Sequence, residues 1–362
     1  MQEAKGVLLT GCTGLLGEQI LKNLISNTSS PVYLLIRGSN TAVVYKKFEN
    51  LVRKLDGDLL LGRRGEVANR VKIVVGDLVK ARIGIEPAAY KFLTRKIVEI
   101  YHCAALTNFQ EPFKKVSKVN KEGTKSVLEF ASSCRNLEKV NYVSSVFIAG
   151  NYRGVFCEKD LNKGQEFNNP YEQSKFEAEL LIRKYQKGGL NISIFRPSVI
   201  TGEYHNGAAH NFGLLYRLFR MLSLKLFEEL PVNDEAFLNL IPCDMAAQFI
   251  CLLSKNYKCS DTYHILSKNN VSLKHVIMLC CTYCKLRAPK LVKFEKFKPR
   301  NLTIIQKRIL APFIPYFNLG VIFDSRVTNE KMRQIGVSQP LITDYYVRRI
   351  LEYSQKKGFI KK

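Results

Sequence analysis

A glycine-rich turn near the start of the chain limits the possible folds more than any other feature of the sequence. It reads T-G-x-x-G-x-x-G over Thr10 to Gly17, after the apolar run Val7 to Thr10 and before apolar residues at helical spacing. Glycines at these positions allow a sharp turn, close approach of the backbone to a pyrophosphate and close packing of the helix on the strand. The pattern therefore predicts a strand, a turn and a helix that bind a dinucleotide. The predicted contacts are Thr10, Gly11, Thr13, Gly14, Leu15, Leu16 and Gly17.

Apolar runs of strand length then alternate with polar stretches of helix length. The strand-like runs are 32–36, 71–75, 97–102, 140–143 and 192–195, and the helix-length stretches include 41–55, 113–134 and 171–186. Continuous apolar runs are typical of strands buried on both faces, and their alternation with helices is typical of a parallel sheet. The sequence therefore predicts an α/β fold with a Rossmann-type, doubly wound parallel sheet in residues 1–202.

The pattern changes after residue 202. Long apolar helical segments are predicted at 212–230 and 246–253, with short strands at 237–241 and 263–266. Residues 203–362 are expected to form a smaller, partly helical substrate-binding region that is interleaved with the sheet and ends in a basic segment. The 212–230 helix is expected to pack over the sheet, and the wall of an acyl-chain tunnel is the alternative.

The residue at the end of the second strand indicates which dinucleotide is bound. An NAD enzyme usually carries Asp or Glu there to bind the ribose 2′-hydroxyl, whereas this chain has Arg37, followed by Lys46 and Lys47. A guanidinium group suits a 2′-phosphate, so NADPH is the expected cofactor. The alternative is an arginine that is merely solvated. Further cofactor contacts are expected after the third and fourth strands, at Asp77, Leu78, Ala104 and Ala105.

A tyrosine, a lysine and a serine form the candidate catalytic set. Tyr171 and Lys175 lie one helical turn apart, and Ser145 follows the strand before them. Reduction of a carbonyl needs an acid for the developing alkoxide, and a phenol with a pKa of about 10 is a reluctant proton donor near neutrality. The Lys175 ammonium group, together with the oxidised nicotinamide, is expected to lower that pKa. The Ser145 hydroxyl would give the carbonyl oxygen a second hydrogen bond.

These motifs together resemble the extended short-chain dehydrogenase/reductase superfamily. The motifs are T-G-x-x-G-x-x-G, Gly76-Asp77-Leu78, His102-Cys103-Ala104-Ala105, Val119-Asn120-x-x-Gly123-Thr124, Tyr142-Val143-Ser144-Ser145, Tyr171-x-x-x-Lys175 and Arg196-Pro197. The resemblance implies that Ser145 rather than Ser144 is catalytic, that Tyr171 is the acid and that Lys175 holds the nicotinamide ribose. It also places Asn120, Pro197, Ser198 and Val199 at the cofactor, although the family often has glycine where this chain has Ser198.

Within the superfamily the chain is most similar to the thioester reductase and fatty acyl-CoA reductase branch, the male-sterility type. The similarity covers 32–37, 169–175 with Glu179, 196–202, 239–244 and 263–266. It implies reduction of an acyl thioester by NADPH to an aldehyde, and with a second hydride to the alcohol. One alternative is another extended reductase, epimerase or hydroxysteroid-type dehydrogenase acting on a small carbonyl or a nucleotide-sugar; the other is a non-catalytic NADP-sensing protein. Arg37 argues against the epimerases, and the intact catalytic set argues against a sensor.

The strongly positive charge predicts anionic partners. The chain has 56 Lys and Arg against 31 Asp and Glu, a net charge of +25, while 46% hydrophobic residues exclude a disordered chain. The segment Lys285 to Arg308 contains nine basic residues and one acid. Its commonest explanation is a solvated basic face; a dock for acyl-CoA, for an acyl carrier protein or for an anionic membrane is the alternative. Nucleic acid is not expected, because no binding motif accompanies the charge.

The cysteines, histidines and chain ends predict a cytoplasmic protein without a metal site. The ten cysteines lack the spacing of a secreted framework, the chain starts without a signal sequence, and no apolar run reaches the length of a membrane span. Peripheral membrane association is the further possibility. Cys281 and Cys284, beside Cys280, are expected to be buried helical thiols. His102 is expected to be a core histidine near the cofactor.

Overall fold

The structure, a computed structural model, describes residues 5–56, 70–257 and 260–360 of the 362-residue chain. Its strands are β1 (Gly6–Thr10), β2 (Val32–Ile36), β3 (Val71–Val75), β4 (Ile97–His102), β5 (Lys139–Val143), β6 (Gly154–Phe156), β7 (Ile192–Pro197), β8 (Val199–Thr201), β9 (Glu229–Pro231), β10 (Phe237–Leu238), β11 (Leu240–Pro242), β12 (Thr262–Ile265), β13 (Val271–Ser272), β14 (Lys290–Val292) and β15 (Val321–Phe323).

The helices alternate with these strands. They are α1 (Leu15–Asn27), α2 (Thr41–Asp56), α3 (Pro87–Lys96), α4 (Phe113–Ser117), α5 (Gly123–Ser133), α6 (Pro170–Lys187), α7 (Leu214–Ser223), α8 (Cys243–Asn256), α9 (Leu273–Tyr283), α10 (Ile304–Leu310), α11 (Ile314–Phe317), α12 (Arg326–Gln334) and α13 (Asp344–Lys356). A π-helical turn, Lys118–Glu122, joins α4 to α5. In the part of the chain that is described, no helix is long and apolar enough to cross a membrane.

A seven-stranded sheet forms the centre of the fold, in the order β12-β7-β5-β4-β1-β2-β3. The pairings from β3 through β7 are parallel. Every residue of β1, β5 and β7 is buried, as expected for strands covered on both faces. The predicted Rossmann-type α/β fold is therefore confirmed, and the carboxyl ends of β1, β4 and β5 lie along one edge of the sheet.

The chain divides into two compact units that are both discontinuous in sequence. The first comprises Met1–Ile148, Asn169–Arg196 and Ala247–Tyr263, and the second comprises Ala149–Asn168, Pro197–Ala246 and His264–Lys362. In the first unit, apolar side chains of the sheet such as Leu8 and Ile100 pack with helix residues such as Val127 and Ile182. Full burial of each such side chain contributes about 1.5–3 kcal/mol. The division after residue 202 remains a prediction about folding units.

The predicted helix at 212–230 is wrong in its second half. Helix α7 ends at Ser223, Lys225 has a φ of 53°, and residues 229–231 form β9, which pairs with β14. A left-handed residue cannot continue a right-handed helix, and the pairing with a strand sixty positions later leaves no trace in local periodicity. The predicted strand 237–241 is likewise split into β10 and β11, and the predicted strand at 263–266 joins the large sheet as β12.

A buried ion pair fixes α6 to β7 inside the first unit. Arg196 donates from Nε to Glu179 Oε1 at 2.8 Å and from a terminal nitrogen to Oε2 at 2.7 Å, and neither side chain is exposed to solvent. Two parallel charge-assisted bonds of this kind fix geometry as well as distance. Both residues belong to the segments that resemble the reductase branch, but their pairing was not predicted from the sequence.

We expect the variant Glu179→Leu to lose about 3–5 kcal/mol of unfolding free energy, because it leaves the Arg196 charge buried without its partner. The double variant Glu179→Leu/Arg196→Met removes both charges and should regain most of that stability. Chemical denaturation followed by circular dichroism measures both. A loss below about 1 kcal/mol in the single variant would contradict the assigned role of the pair.

Candidate active site

The turn after β1 is built so that only glycine fits at two of its positions. Gly11 has a φ of +78°, and a Cβ there would lie 2.6 Å from the Ala104 amide nitrogen; a Cβ at Gly17 would lie 2.1 Å from the Gly11 carbonyl oxygen. The cap residue of α1, Gly14, supplies no side-chain acceptor to the first turn of that helix. Helix N–H groups at such a turn can therefore receive a pyrophosphate, and the cradle fits a dinucleotide.

A histidine and two threonines fasten the ends of β1 and β4 beside that cradle. Nδ1 of His102 lies 2.8 Å from Thr10 Oγ1, and its Nε2 lies 3.0 Å from Thr124 Oγ1. The Ala104 amide also donates to Thr10 Oγ1, at 3.3 Å. Burial lowers the pKa of His102 to about 3, so the ring is neutral. The prediction of a satisfied core histidine is confirmed, and Thr10 serves this network.

Asn120 lies on the π-helical turn and connects the loop after β4 with α6. Its Oδ1 accepts the Leu106 amide at 2.7 Å, and its Nδ2 donates to the Leu106 carbonyl at 3.1 Å and to Ser174 Oγ at 2.9 Å. The Ser174 hydroxyl in turn donates to the Tyr171 carbonyl at 2.8 Å. Single π-helical turns often occur at functional sites. The part played by Ser174 was missed, although its place between Tyr171 and Lys175 was a usable signal.

The structure brings Ser145, Tyr171 and Lys175 together in the first unit. Helix α6 begins where Asn169 Oδ1 accepts the Glu172 amide at 3.1 Å, with Pro170 at its first position, and this places Tyr171 in the first turn. The Ser145 hydroxyl lies near enough to the Tyr171 phenol to lower its pKa. Lys175 donates to the Val143 carbonyl at 2.6 Å. The hydroxyl, phenol and ammonium groups thus converge at the end of β5.

Two further rings contact this catalytic set. The Lys175 ammonium nitrogen lies 4.5 Å from the centre of the Tyr142 ring, within the range of a cation–π interaction. The Phe109 ring lies 5.5 Å from the Tyr171 ring, tilted by 30°. The Lys175 ammonium group and the Tyr171 phenol therefore each pack against one aromatic ring.

Burial controls the protonation of both residues. It raises the pKa of Tyr171 to about 12 against the opposing effect of the Ser145 hydrogen bond, and it lowers the pKa of Lys175 to about 8. The predicted lowering of the Tyr171 pKa by Lys175 is not part of this balance, because desolvation of the phenol dominates. Near neutral pH Tyr171 therefore carries its proton and Lys175 carries its charge.

The residues predicted to bind the 2′-phosphate of NADPH lie at the end of β2 and on α2. Arg37, Lys46 and Lys47 are all exposed, and Lys47 Nζ donates to the Arg37 carbonyl at 2.6 Å. Their guanidinium and ammonium groups are accessible to a phosphate. After β3, the half-buried Asp77 accepts the Val79 amide at 3.2 Å. Leu78 is buried beside Gly123, and Ala104 and Ala105 are half-buried after β4.

The predicted nicotinamide segment lies in the second unit and depends on an asparagine that the sequence analysis did not single out. Ser198 donates from Oγ to Asn239 Oδ1 at 2.8 Å. Asn239 also accepts the Ser267 amide at 2.9 Å and donates to Asn270 Oδ1 at 3.0 Å. The hydroxyl of Ser198, where the family often has glycine, therefore anchors the segment. Pro197 ends β7 and Val199 begins β8.

A small apolar cleft, partly open to solvent, also lies in the second unit. Its walls come from β8, α7, β10, α9 and the chain around α11. The lining residues are Val199, Leu214, Leu215, Leu218, Leu238, Leu273, Phe313, Tyr316 and Phe317. The first half of the predicted 212–230 segment thus lines a cavity.

The cysteines of the C-x-x-C sequence are buried, as predicted. Cys280 and Cys281 lie on α9 and Cys284 follows it, all shielded from solvent. Among the residues described by the structure, no group of three or more His, Cys, Asp or Glu side chains is arranged to hold a metal ion.

Comparison with known proteins assigns this site to a family. The family model described as male sterility protein, an NAD-binding family, matches residues 9–250. The chain belongs to the male sterility protein family. Its fold is of the extended short-chain dehydrogenase/reductase type, so the resemblance noted from the motifs is confirmed. Membership implies a nicotinamide cofactor, in agreement with the glycine cradle.

Several relatives of the chain are described as reductases. The L-2-aminoadipate reductase large subunit of Candida glabrata is 27% identical over 73% of this chain and 20% of its own length. The terminal R domain from the myxalamid PKS-NRPS biosynthetic pathway has a TM-score of 0.83 and 24% identity, covering 100% of this chain and 93% of that one. A thiolation-reductase di-domain from an archaeal non-ribosomal peptide synthetase has a TM-score of 0.80 and 24% identity. The match covers 99% of this chain and 77% of the di-domain. The chain spans only 7 to 22% of the first three curated relatives.

Proposed function

We propose that the chain reduces an acyl thioester, carried on coenzyme A or on an acyl carrier protein, to the corresponding aldehyde with NADPH. The observation that carries this proposal is the convergence of Ser145, Tyr171 and Lys175 at the end of β5, in a member of a family whose relatives include named reductases. A protonated phenol and a hydroxyl side by side suit a carbonyl oxygen that gains negative charge.

Each residue of the set has a separate task in this reaction. Bound NADPH would supply the hydride. Tyr171 and Ser145 would donate hydrogen bonds to the thioester carbonyl oxygen, and Tyr171, protonated at neutral pH, would pass its proton to that oxygen as it becomes an alkoxide. The resulting hemithioacetal breaks its C–S bond and leaves an aldehyde and a thiol. The Lys175 charge stabilises the phenolate that Tyr171 becomes.

The lining of the cleft supports an aliphatic acyl group. Its nine side chains are aliphatic or aromatic, and Val199, next to the predicted nicotinamide residue Ser198, is one of them. A nucleotide-sugar would find few partners for its hydroxyl groups there, which disfavours the sugar-modifying alternative.

The proposed reaction is tested by thiol release. Wild-type protein with NADPH and a series of acyl-CoA and acyl-carrier thioesters should release free thiol, and Tyr171→Phe should lower the rate by about 10²–10⁴ because the proton donor is lost. Tyr185→Phe on the same helix is the matched control and should keep the wild-type rate. Absence of thiol release with every thioester, or full activity of Tyr171→Phe, would refute the proposal.

The rate should also fall on the alkaline side as Lys175 loses its proton. The lowered pKa of about 8 means that kcat/KM for the thioester stays level below that pH and declines about tenfold per pH unit above it. In Lys175→Arg, whose charge persists at all accessible pH values, the residual activity should lose this decline. A profile that remains level well above pH 8 in wild-type protein would rule out a required Lys175 charge.

Arg37 is proposed to select NADPH through its exposed guanidinium group. Loss of a charge-assisted bond costs about 1.5–3 kcal/mol, so Arg37→Ala should lower kcat/KM for NADPH by about 10- to 150-fold and change that for NADH little. Arg53→Ala, another exposed arginine on α2, serves as the control. An unchanged NADPH-to-NADH ratio in Arg37→Ala would remove Arg37 from the cofactor site.

A further inference from the structure

The second unit carries a surface in which exposed cations surround exposed aliphatic side chains. We call it the basic apolar face; it comprises residues 285–308 and the neighbouring turn 224–226. All nine basic residues of the longer segment are exposed, against one acid, Glu295. They are Lys285, Arg287, Lys290, Lys293, Lys296, Lys298, Arg300, Lys307 and Arg308.

Two isoleucines stand out from this face. Ile304 is 84% exposed and Ile305 is 69% exposed, at the start of α10. Thr303 fixes the start of the helix, because its Oγ1 accepts the Gln306 amide at 3.2 Å while its own amide donates to Gln306 Oε1 at 2.8 Å. The two apolar side chains therefore project from an ordered helical turn.

The turn at 224–226 contributes further exposed aliphatic side chains to the basic apolar face. Gln306 Nε2 donates to the Leu226 carbonyl, which holds the start of α10 against this turn. Leu224 and Leu226 are 46% and 37% exposed, and the exposed Lys225 lies between them. Exposed aliphatic side chains therefore occur on two segments that this hydrogen bond joins, and both segments carry exposed cations.

Strand pairing holds the longer segment in place and brings a few acids near its edge. Strand β14 pairs with β9 in parallel register. Lys290 Nζ lies 3.7 Å from Glu229 Oε1, and Lys274 is paired with Asp234. The face keeps a net positive charge because the nine exposed cations of the longer segment outnumber the acids within the face and beside it.

We propose that the basic apolar face docks on an anionic phospholipid surface, with Ile304 and Ile305 inserted below the headgroups. Adjacent aliphatic side chains exposed in water gain free energy on entering the boundary of the acyl chains, while surrounding lysines and arginines attract lipid phosphates. A nucleic acid would match the charge but would leave the isoleucines in water. Insertion of the isoleucines and attraction of the cations to phosphate together therefore favour a bilayer over a partner that offers negative charge alone.

The apolar cleft is continuous along the chain with this face. Helix α7 contributes Leu214, Leu215 and Leu218 to the cleft and leads directly into the turn at Leu224. On the other side, α10 leads to the cleft residue Phe313. If the proposed function holds, these two connections join the face to a cleft that suits an aliphatic acyl group. The docking itself does not depend on catalysis.

Sedimentation of the full chain with lipid vesicles tests the docking without any enzyme assay. Wild-type protein should bind vesicles in which about a third of the lipid is phosphatidylserine, and bind phosphatidylcholine vesicles far less. Ile304→Ser/Ile305→Ser should weaken this binding about tenfold or more. Lys296→Gln/Lys298→Gln/Arg300→Gln should weaken it about 100-fold, at about fivefold per charge.

The control variant is Ile322→Ser, which changes a 58% exposed isoleucine on β15, outside the face, and should bind as wild type does. Circular dichroism of each variant checks that the fold is kept. Failure of wild-type protein to bind anionic vesicles would overturn the proposal, as would wild-type binding by the double isoleucine variant. Capture of an acidic carrier protein without any vesicle binding would assign the face to that protein and refute a lipid dock.

Discussion

The buried bond between Glu179 and Arg196 is the constraint on which the site geometry depends. It holds α6 against β7 with two short, charge-assisted contacts from which water is excluded. The other site contacts of α6 come from the helical turns that precede Glu179. Tyr171 lies near the Ser145 hydroxyl, Ser174 accepts a hydrogen bond from Asn120, and Lys175 donates one to the carbonyl of Val143. A shift of this helix would move all three at once.

Partial or full burial of the titratable side chains is the second property that shapes the site. His102 and Lys175 are buried and Tyr171 is half-buried, and desolvation shifts the pKa of each in the direction that favours its neutral form. The histidine is consequently neutral and serves as a link between threonines, whereas the lysine keeps its charge near neutrality and contacts the ring of Tyr142. The site therefore presents one cation and one protonated phenol, a combination suited to stabilising negative charge on a carbonyl oxygen.

Sequence reasoning succeeded where the controlling forces are local. The glycine turn and the predicted strands through 192–195 follow from backbone freedom and from continuous apolar runs. It failed where partners distant in sequence decide the outcome. Strand β9 forms because residues 290–292 pair with it, and the Tyr171 pKa is set by burial that spacing alone does not reveal. The pairing of Glu179 with Arg196 and the Asn239 network escaped notice for the same reason.

Transfer of isotope from cofactor to product shows whether the chain reduces its thioester by hydride transfer. Wild-type protein is incubated with an aliphatic acyl-CoA and NADPH that carries deuterium at the transferable position of the nicotinamide, and the product is analysed by mass spectrometry. We expect an aldehyde that carries the deuterium on its carbonyl carbon, formed in step with free coenzyme A and about 10²–10⁴ times more slowly with Tyr171→Phe. Release of coenzyme A without a labelled aldehyde or alcohol would mean that the chain hydrolyses the thioester and does not reduce it.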